Sequence, residues 1–356
     1  MKKPLLFVLG LSAAAAHAQS QVSIYGVVDA GMVTEHGSRN APSTKISSGA
    51  ASTSRIGFRG TEQLGNGLSA FFTLETGTRI DTGVLDVNNT IFNRQALVGL
   101  QGGFGAVALG RQYTPMHKLL VAFDPFKTGY AGTVKNLFPD TGTNVRTSNT
   151  LTWQSPTVRG ADAMLAYSTG EQSDASSGRQ FGGAVGYAHG PLTLRLAFNS
   201  KNSDLAATDS SPKISHDIGR NTALGASYQF PVVKVHFIYG IDKGYGSAPL
   251  WNTSNPYGGV KPTASTDSRD LLLGLSGRVG PGTLMFSMMS KDDRTAFDQD
   301  ANSWGVGYNY PLSKRTSLYA AYAHINNKNG AGYTVNNNSE AGSGNTGTNL
   351  GLLHTF

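Results

Sequence analysis

In the segment PLTLRLAFNSK, Leu192, Leu194, Leu196 and Phe198 fall on one face, and Thr193, Arg195, Ala197 and Asn199 on the other. VVKVHFIYGIDK repeats the pattern: Val233, Val235, Phe237, Tyr239 and Ile241 alternate with Lys234, His236 and Asp242. NSWGVGYNY sets Trp304, Val306, Tyr308 and Tyr310 against Ser303, Gly305, Gly307 and Asn309; GTLMFSMMSK and the terminal NLGLLHTF read alike. A period of two marks β-strands with unlike faces. A water-soluble sandwich also alternates, with its apolar side inward. Here the second face is small and polar, and many apolar runs end in Tyr, Phe or Trp. Segments that are apolar outside, polar inside and tipped with aromatics suit a barrel in lipid.

The amino terminus agrees with that setting. Lys2 and Lys3, an apolar run from Leu5 to Ala16 and the end Ala16-His17-Ala18 read as a cleaved secretory signal over residues 1–18. The alternative, an amino-terminal anchor, fits less well because the run is shorter than the roughly 20 helical residues a bilayer needs. No later stretch holds 18 uninterrupted apolar residues, so no spanning helix follows. Only helices and closed barrels satisfy their backbone groups inside lipid. Cleavage leaves residues 19–356 as one barrel with a net charge of +5 (27 basic, 22 acidic). The 45 glycines, nearly twice the background of roughly 7%, and the low apolar content suit a barrel with no packed core. The absence of Cys excludes disulfide scaffolds, thiolate metal sites and cysteine nucleophiles.

The connections alternate in length. Seven are short and rich in turn residues, at Gly65-Asn66-Gly67, Gly102-Gly103, Ser155-Pro156, Gly190-Pro191, Phe230-Pro231, Gly280-Pro281-Gly282 and Pro311-Leu312-Ser313. Eight are long and polar, near 34–53, 79–90, 112–145, 170–178, 200–217, 243–267, 291–300 and 327–346. Fifteen connections join sixteen strands. The expected fold is therefore an all-β, 16-stranded antiparallel transmembrane barrel, with short periplasmic turns and long extracellular loops. Sixteen strands leave a water-filled lumen.

Four blocks carry a resemblance: QVSIYGVVDAG, SRIGFRGTEQLGNGLSAFFTLETG, FNRQALVGLQGGFGAVALGRQYTP and the terminal aromatic Phe356. In this order they resemble the trimeric general porins of β-proteobacterial outer membranes, from Gln21 to Phe356. The resemblance implies a homotrimer set in outer-membrane lipid and lipopolysaccharide, passing small anions and other hydrophilic solutes. It implies a third loop that folds into the pore. It also implies that the strand ending at Phe356 is read by the barrel-assembly machinery.

Strand arithmetic selects the inner wall. Strands rise about 3.3 Å per residue and tilt by about 40°, so residues equally far from the periplasmic turns share a height. Arg55 precedes its turn by nine positions, Arg94 by eight and Arg146 by ten; Glu75 follows its turn by eight, and Asp29 lies ten beyond Gln19. These five form a belt near mid-height, with Arg59 below and Arg79 above on the same wall. Each arginine alone reads equally well as a solvated lumen residue. Three at one height point to a basic constriction, where low-dielectric walls focus the field and concentrate anions. Arg94 shares a face with Ala96, Val98 and Leu100, so its inward position leans on the resemblance. Arg111 falls on the outward parity of Val107 and Leu109 and is set aside as a strand end.

The third loop, 112–145, is the longest connection, and loops beyond about 12–15 residues are usually functional or disordered. The resemblance implies acidic residues on this loop opposite the wall arginines. The loop supplies Asp124 and Asp140, but also Lys118, Lys127 and Lys135, and is net basic by one. That balance favours anions. Asp124 also reads as a turn residue before Pro125.

No H-E-x-x-H, P-loop or G-x-S-x-G occurs, and the eight histidines lack metal-ligand spacing. No enzyme activity, cofactor, metal or nucleic-acid partner is expected. The expected function is passive diffusion of small hydrophilic solutes with anions favoured. A solute-specific channel on the same fold is the alternative, and a barrel-mounted adhesin or hydrolase fits less well.

Overall fold

The computed structural model describes residues 21–39, 42–174, 176–208, 210–259 and 261–356. The expected signal, 1–18, lies outside them. Seventeen strand segments follow in chain order: β1 (Gln21–His36), β2 (Ser43–Ser48), β3 (Arg55–Gly65), β4 (Leu68–Gly77), β5 (Gln95–Gly102), β6 (Gly105–Tyr113), β7 (Arg146–Gln154), β8 (Ala161–Ser168), β9 (Gln180–His189), β10 (Leu192–Lys201), β11 (Gly219–Gln229), β12 (Val233–Ala248), β13 (Ser265–Val279), β14 (Gly282–Asp293), β15 (Ala301–Pro311), β16 (Thr316–Asn327) and β17 (Thr346–Thr355). Each pairs antiparallel with its neighbour, and β17 returns to β1, closing the barrel.

The seventeen segments occupy sixteen positions. One edge of β1 carries both β3, against Gln21–Val27, and β2, against Ala30–Glu35. Residues 49–54 leave the ladder between them and tuck inward. Phe356 finishes the closure, since its amide and carbonyl exchange 3.2 Å hydrogen bonds with Gly26.

Alternation works as the pattern requires. Leu196, Leu224, Leu273, Met288 and Leu350 lie outward and exposed on their strands, whereas Ala197, Ala223 and Leu272 between them are buried. Such a continuous exposed apolar surface calls for lipid rather than water. All seven short turns and seven of the eight long loops fall where the turn residues and polar stretches put them; the first, 34–53, is corrected, since it contains β2 paired with β1.

The expectation of a barrel with no packed core is corrected. The third loop carries a helix, α1 (Pro115–Phe123), whose Met116, Leu119, Leu120 and Phe123 pack on the inward Ala184, Ala197, Ala223 and Ile238. Ala331, Tyr333 and Val335 of the last loop join the same cluster. Part of the glycine excess serves this packing. A Cβ on Gly225 would overlap the Phe123 ring, and one on Gly305 would sit 2.5 Å from the Gly132 Cα. An inner wall of Ala and Gly lets a loop fill one side of the lumen, as small strand residues allow close backbone approach.

Candidate pore constriction

The third loop leaves the wall through a capped helix start. The Thr114 hydroxyl oxygen accepts from the His117 amide at 3.1 Å, and Pro115 occupies the first turn. Beyond the helix the chain is held by Asp124. Its carboxylate is 1% exposed and accepts from the amides of Phe126, Thr128 and Val134 at 2.8–3.0 Å. Burial pushes this carboxyl up to about 7, while the three amide donors pull it back down. Asp124 is thus an organiser of the loop, not an acid facing the pore. Asp140 is likewise wholly buried, with one oxygen 2.7 Å from His117 Nδ1. Burial raises Asp140, but His117, Lys135 and Arg146 outweigh it and hold its pKa below the usual carboxylate value. Neither carboxylate forms an acidic face opposite the arginines: both are enclosed inside the loop, which departs from the acidic pattern of the resemblance as its basic balance implies.

What the loop presents to the lumen is basic. Lys118, Lys127 and Lys135 line a cavity of about 740 Å³ together with Arg55, Arg94 and Arg146 from the wall, and with one acid, Asp86. Lys135 donates from Nζ to the Asn338 carbonyl at 2.7 Å and lies 4.7 Å from the Trp251 ring centre. Burial lowers its pKa to about 8, with Asp140 opposing and Arg146 and Arg94 adding to the effect.

On the wall, Glu75 and Tyr113 tie the arginines together. Glu75 accepts from Arg94 Nε at 2.7 Å and from the Tyr25 hydroxyl at 3.0 Å, and lies 3.5 Å from Arg55 Nε. The Tyr113 hydroxyl accepts from Arg94 Nη2 at 2.7 Å and Arg146 Nη2 at 3.1 Å, and Arg146 stacks over its ring. Arg94 turns inward despite its parity because it precedes β5, in a bend whose amide bonds the Glu75 carbonyl. Arg146 has no ion pair among the described residues, so its charge stays unmatched.

The remaining wall residues divide. Asp29 does not belong to the water-facing belt. It is fully buried; one oxygen takes the Ala51 and Ser52 amides at 2.7 Å and the other the Tyr319 hydroxyl at 2.6 Å, which anchors the inward tuck of 49–54. Arg59 lies away from the cavity, bonded to Ser23 Oγ at 3.2 Å and set over Tyr25. Arg79 lies beyond the end of β4 and reaches Glu340 of the last loop at 3.6 Å. Arg111, set aside by parity, borders the cavity; the ladder slips between Gly110 and Gln112, and its guanidinium is fixed by the Asn93 carbonyl and Ser148 Oγ.

Sequence reasoning missed Tyr113, although it falls in the block GRQYTP just before the helix. It also missed Trp251 and Asn338, which come from distant loops and carry no local signal.

A model of the Gram-negative porin family matches residues 6–330. The chain belongs to that family. This porin is 31% identical to outer membrane porin protein 32 of Delftia acidovorans over the whole of both chains. It is 29% identical to an outer membrane porin protein of Bordetella pertussis, over 92% of this chain and 95% of the relative. Its barrel superposes on the anion-selective porin from Comamonas acidovorans with a TM-score of 0.76 and 28% identity, covering 95% of this chain and all of that one. The porin is accordingly an outer-membrane diffusion channel, of a family that forms channels rather than enzymes.

Proposed function

We propose that this porin passes small hydrophilic solutes with a preference for anions, through a constriction formed by Arg55, Arg94 and Arg146 together with Lys118, Lys127 and Lys135. One observation carries the reading: all six cations border the cavity with Arg111 beside them, against a single acid in its described lining, Asp86, which lies 3.9 Å from Arg79. Glu75 is shared by two arginines and a tyrosine, and Asp124 and Asp140 are enclosed in the loop. A passing anion meets a wall and a loop of the same sign. Guanidinium groups keep their charge at any physiological pH. The likeness to an anion-selective porin supports this reading. The functional unit is a homotrimer delivered by a cleaved signal, as the resemblance to general porins implies.

Planar-bilayer recording tests it. The expected result is a large ohmic conductance with a reversal potential on the chloride side in a potassium chloride gradient. Saturation by a single solute would favour a solute-specific channel, and cation preference would defeat the reading.

A further inference from the structure

The helix α1 has two unlike faces. Met116, Leu119, Leu120 and Phe123 pack on the barrel wall, whereas Lys118, Val121 and Ala122, three and four positions apart, border the pore cavity. Ala122 is exposed there and Val121 half-buried. Val145, the neighbour of Arg146, is a further apolar residue of the same lining. A small inorganic anion gains nothing from apolar surface. At about 740 Å³, the cavity has the size and the mixture of apolar and charged groups of a small-molecule site.

Two of the cavity's cations are seated on aromatic rings. The Arg146 guanidinium carbon lies 4.6 Å from the Tyr113 ring centre, and Lys135 Nζ lies 4.7 Å from that of Trp251. His117 stacks on Tyr113 with ring centres 4.8 Å apart, and all three rings belong to the lining. Each pair sets a flat π surface beside a positive charge. Arg146 also has donors to spare. Its Nη2 donates to the Tyr113 hydroxyl at 3.1 Å, but its Nε is buried without a hydrogen-bond partner, and it has no ion pair among the described residues. Buried donors are seldom left open. A guanidinium fork matches a carboxylate bidentately.

We propose that this cavity is an affinity site for aromatic carboxylates, the carboxylate held by Arg146 and Lys135 and the ring packed against Trp251 and the apolar residues of the lining. The inference rests on the anion reading above and narrows it to a substrate class. The test is planar-bilayer recording of the full-chain porin in potassium chloride, with sodium benzoate, sodium acetate and neutral benzamide added singly as probes. Benzoate should half-block the current at roughly a tenth of the acetate concentration, the worth of about one aromatic contact, and benzamide should not block. Trp251→Ala should bring the ratio of the two half-blocking concentrations near one, and Trp251→Phe should restore most of the native ratio. If Trp251 served only to seat Lys135, its removal would weaken both anions alike; a ratio that persists in Trp251→Ala would therefore overturn the proposal. So would equal half-block by benzoate and acetate in the native porin, or block by benzamide at the benzoate concentration. A native reversal potential on the potassium side would defeat the anion reading itself, and the proposal with it.

Discussion

The two sides of this lumen use the same inward positions of the same barrel, yet one is filled and the other kept open. Along β9 to β12 the inward residues that meet the third-loop helix include Gly182, Ala184, Ala197, Ala223, Gly225 and Ile238. Along β3 to β7 the inward residues include Arg55, Glu75 and Arg146, joined by Arg94 before β5, and among the described residues no apolar loop cluster packs there. Small apolar residues admit a loop because burial of its Leu and Phe side chains needs only space and apolar contact. Arginines refuse one, since covering them would strip water from charges that have too few partners. The alternation that makes both walls is identical. The size and charge of the inward residue decide whether a sector becomes core or channel.

The largest break in that contrast comes from filling the glycine space. Gly305→Leu places a side chain where even a Cβ would meet the Gly132 backbone at 2.5 Å. Overpacking of this kind typically costs about 1–3 kcal/mol. The third loop should detach from its wall, and single-channel conductance should rise while the barrel still runs as a folded species in electrophoresis. Unchanged conductance would mean that the loop is held elsewhere.

A smaller effect on conductance should follow from weakening the loop's own anchor. Asp124→Ala leaves three buried amides without their acceptor, at roughly 1–3 kcal/mol for each unsatisfied group. Thermal denaturation should come at a lower temperature, and open-channel current noise should grow. Selectivity should stay near the wild-type value, since the carboxylate does not face the lumen. A marked gain in anion preference would show instead that Asp124 acts on permeating ions.

The comparison also contains a titratable part, and its effect is the smallest. Lys135 is the loop cation with the lowered pKa, about 8, and is faced by Asp140, Asp124, Arg146, Arg94 and Trp251. Below that value the amine is charged; as pH rises through it, one positive charge leaves the cavity while the arginines keep theirs. Anion preference should therefore decline modestly between pH 7 and pH 9. The same stability logic gives the opposite sign. The folded state favours the neutral amine, so Lys135 contributes relative stability as pH climbs from about 8 towards its unfolded value near 10.5. Lys135→Gln should flatten the selectivity profile, and a slope that persists in that variant would assign the titration to another group.

Strand number, turn positions and loop lengths were legible in the chain because each rests on a local signal: alternation within ten residues, or Gly, Pro and Asn at a turn. Arg55 and Arg146 were legible by counting from those turns. Arg94 was not, because it lies in the bend before β5, where parity no longer applies. Asp29 and Asp124 sat at suggestive positions, but their carboxylates serve amides of residues that fold back on them, which a count along one strand does not reveal. The inward fold of the last loop was illegible for a similar reason. Asn336 bonds Asn136 and Asn338 bonds Thr128, contacts about two hundred residues apart that leave no periodicity. The break between β2 and β3 needed the three-dimensional anchor of Asp29 to be seen.

The central claim is that charge at the open wall sets the sign of selectivity. Its most direct measurement is the zero-current potential across a bilayer in a potassium chloride gradient, for the native porin and for Arg55→Gln/Arg94→Gln/Arg146→Gln. The native channel should reverse on the chloride side, and the triple variant should move to near zero, with conductance retained. A triple variant that keeps the native reversal potential would contradict the account.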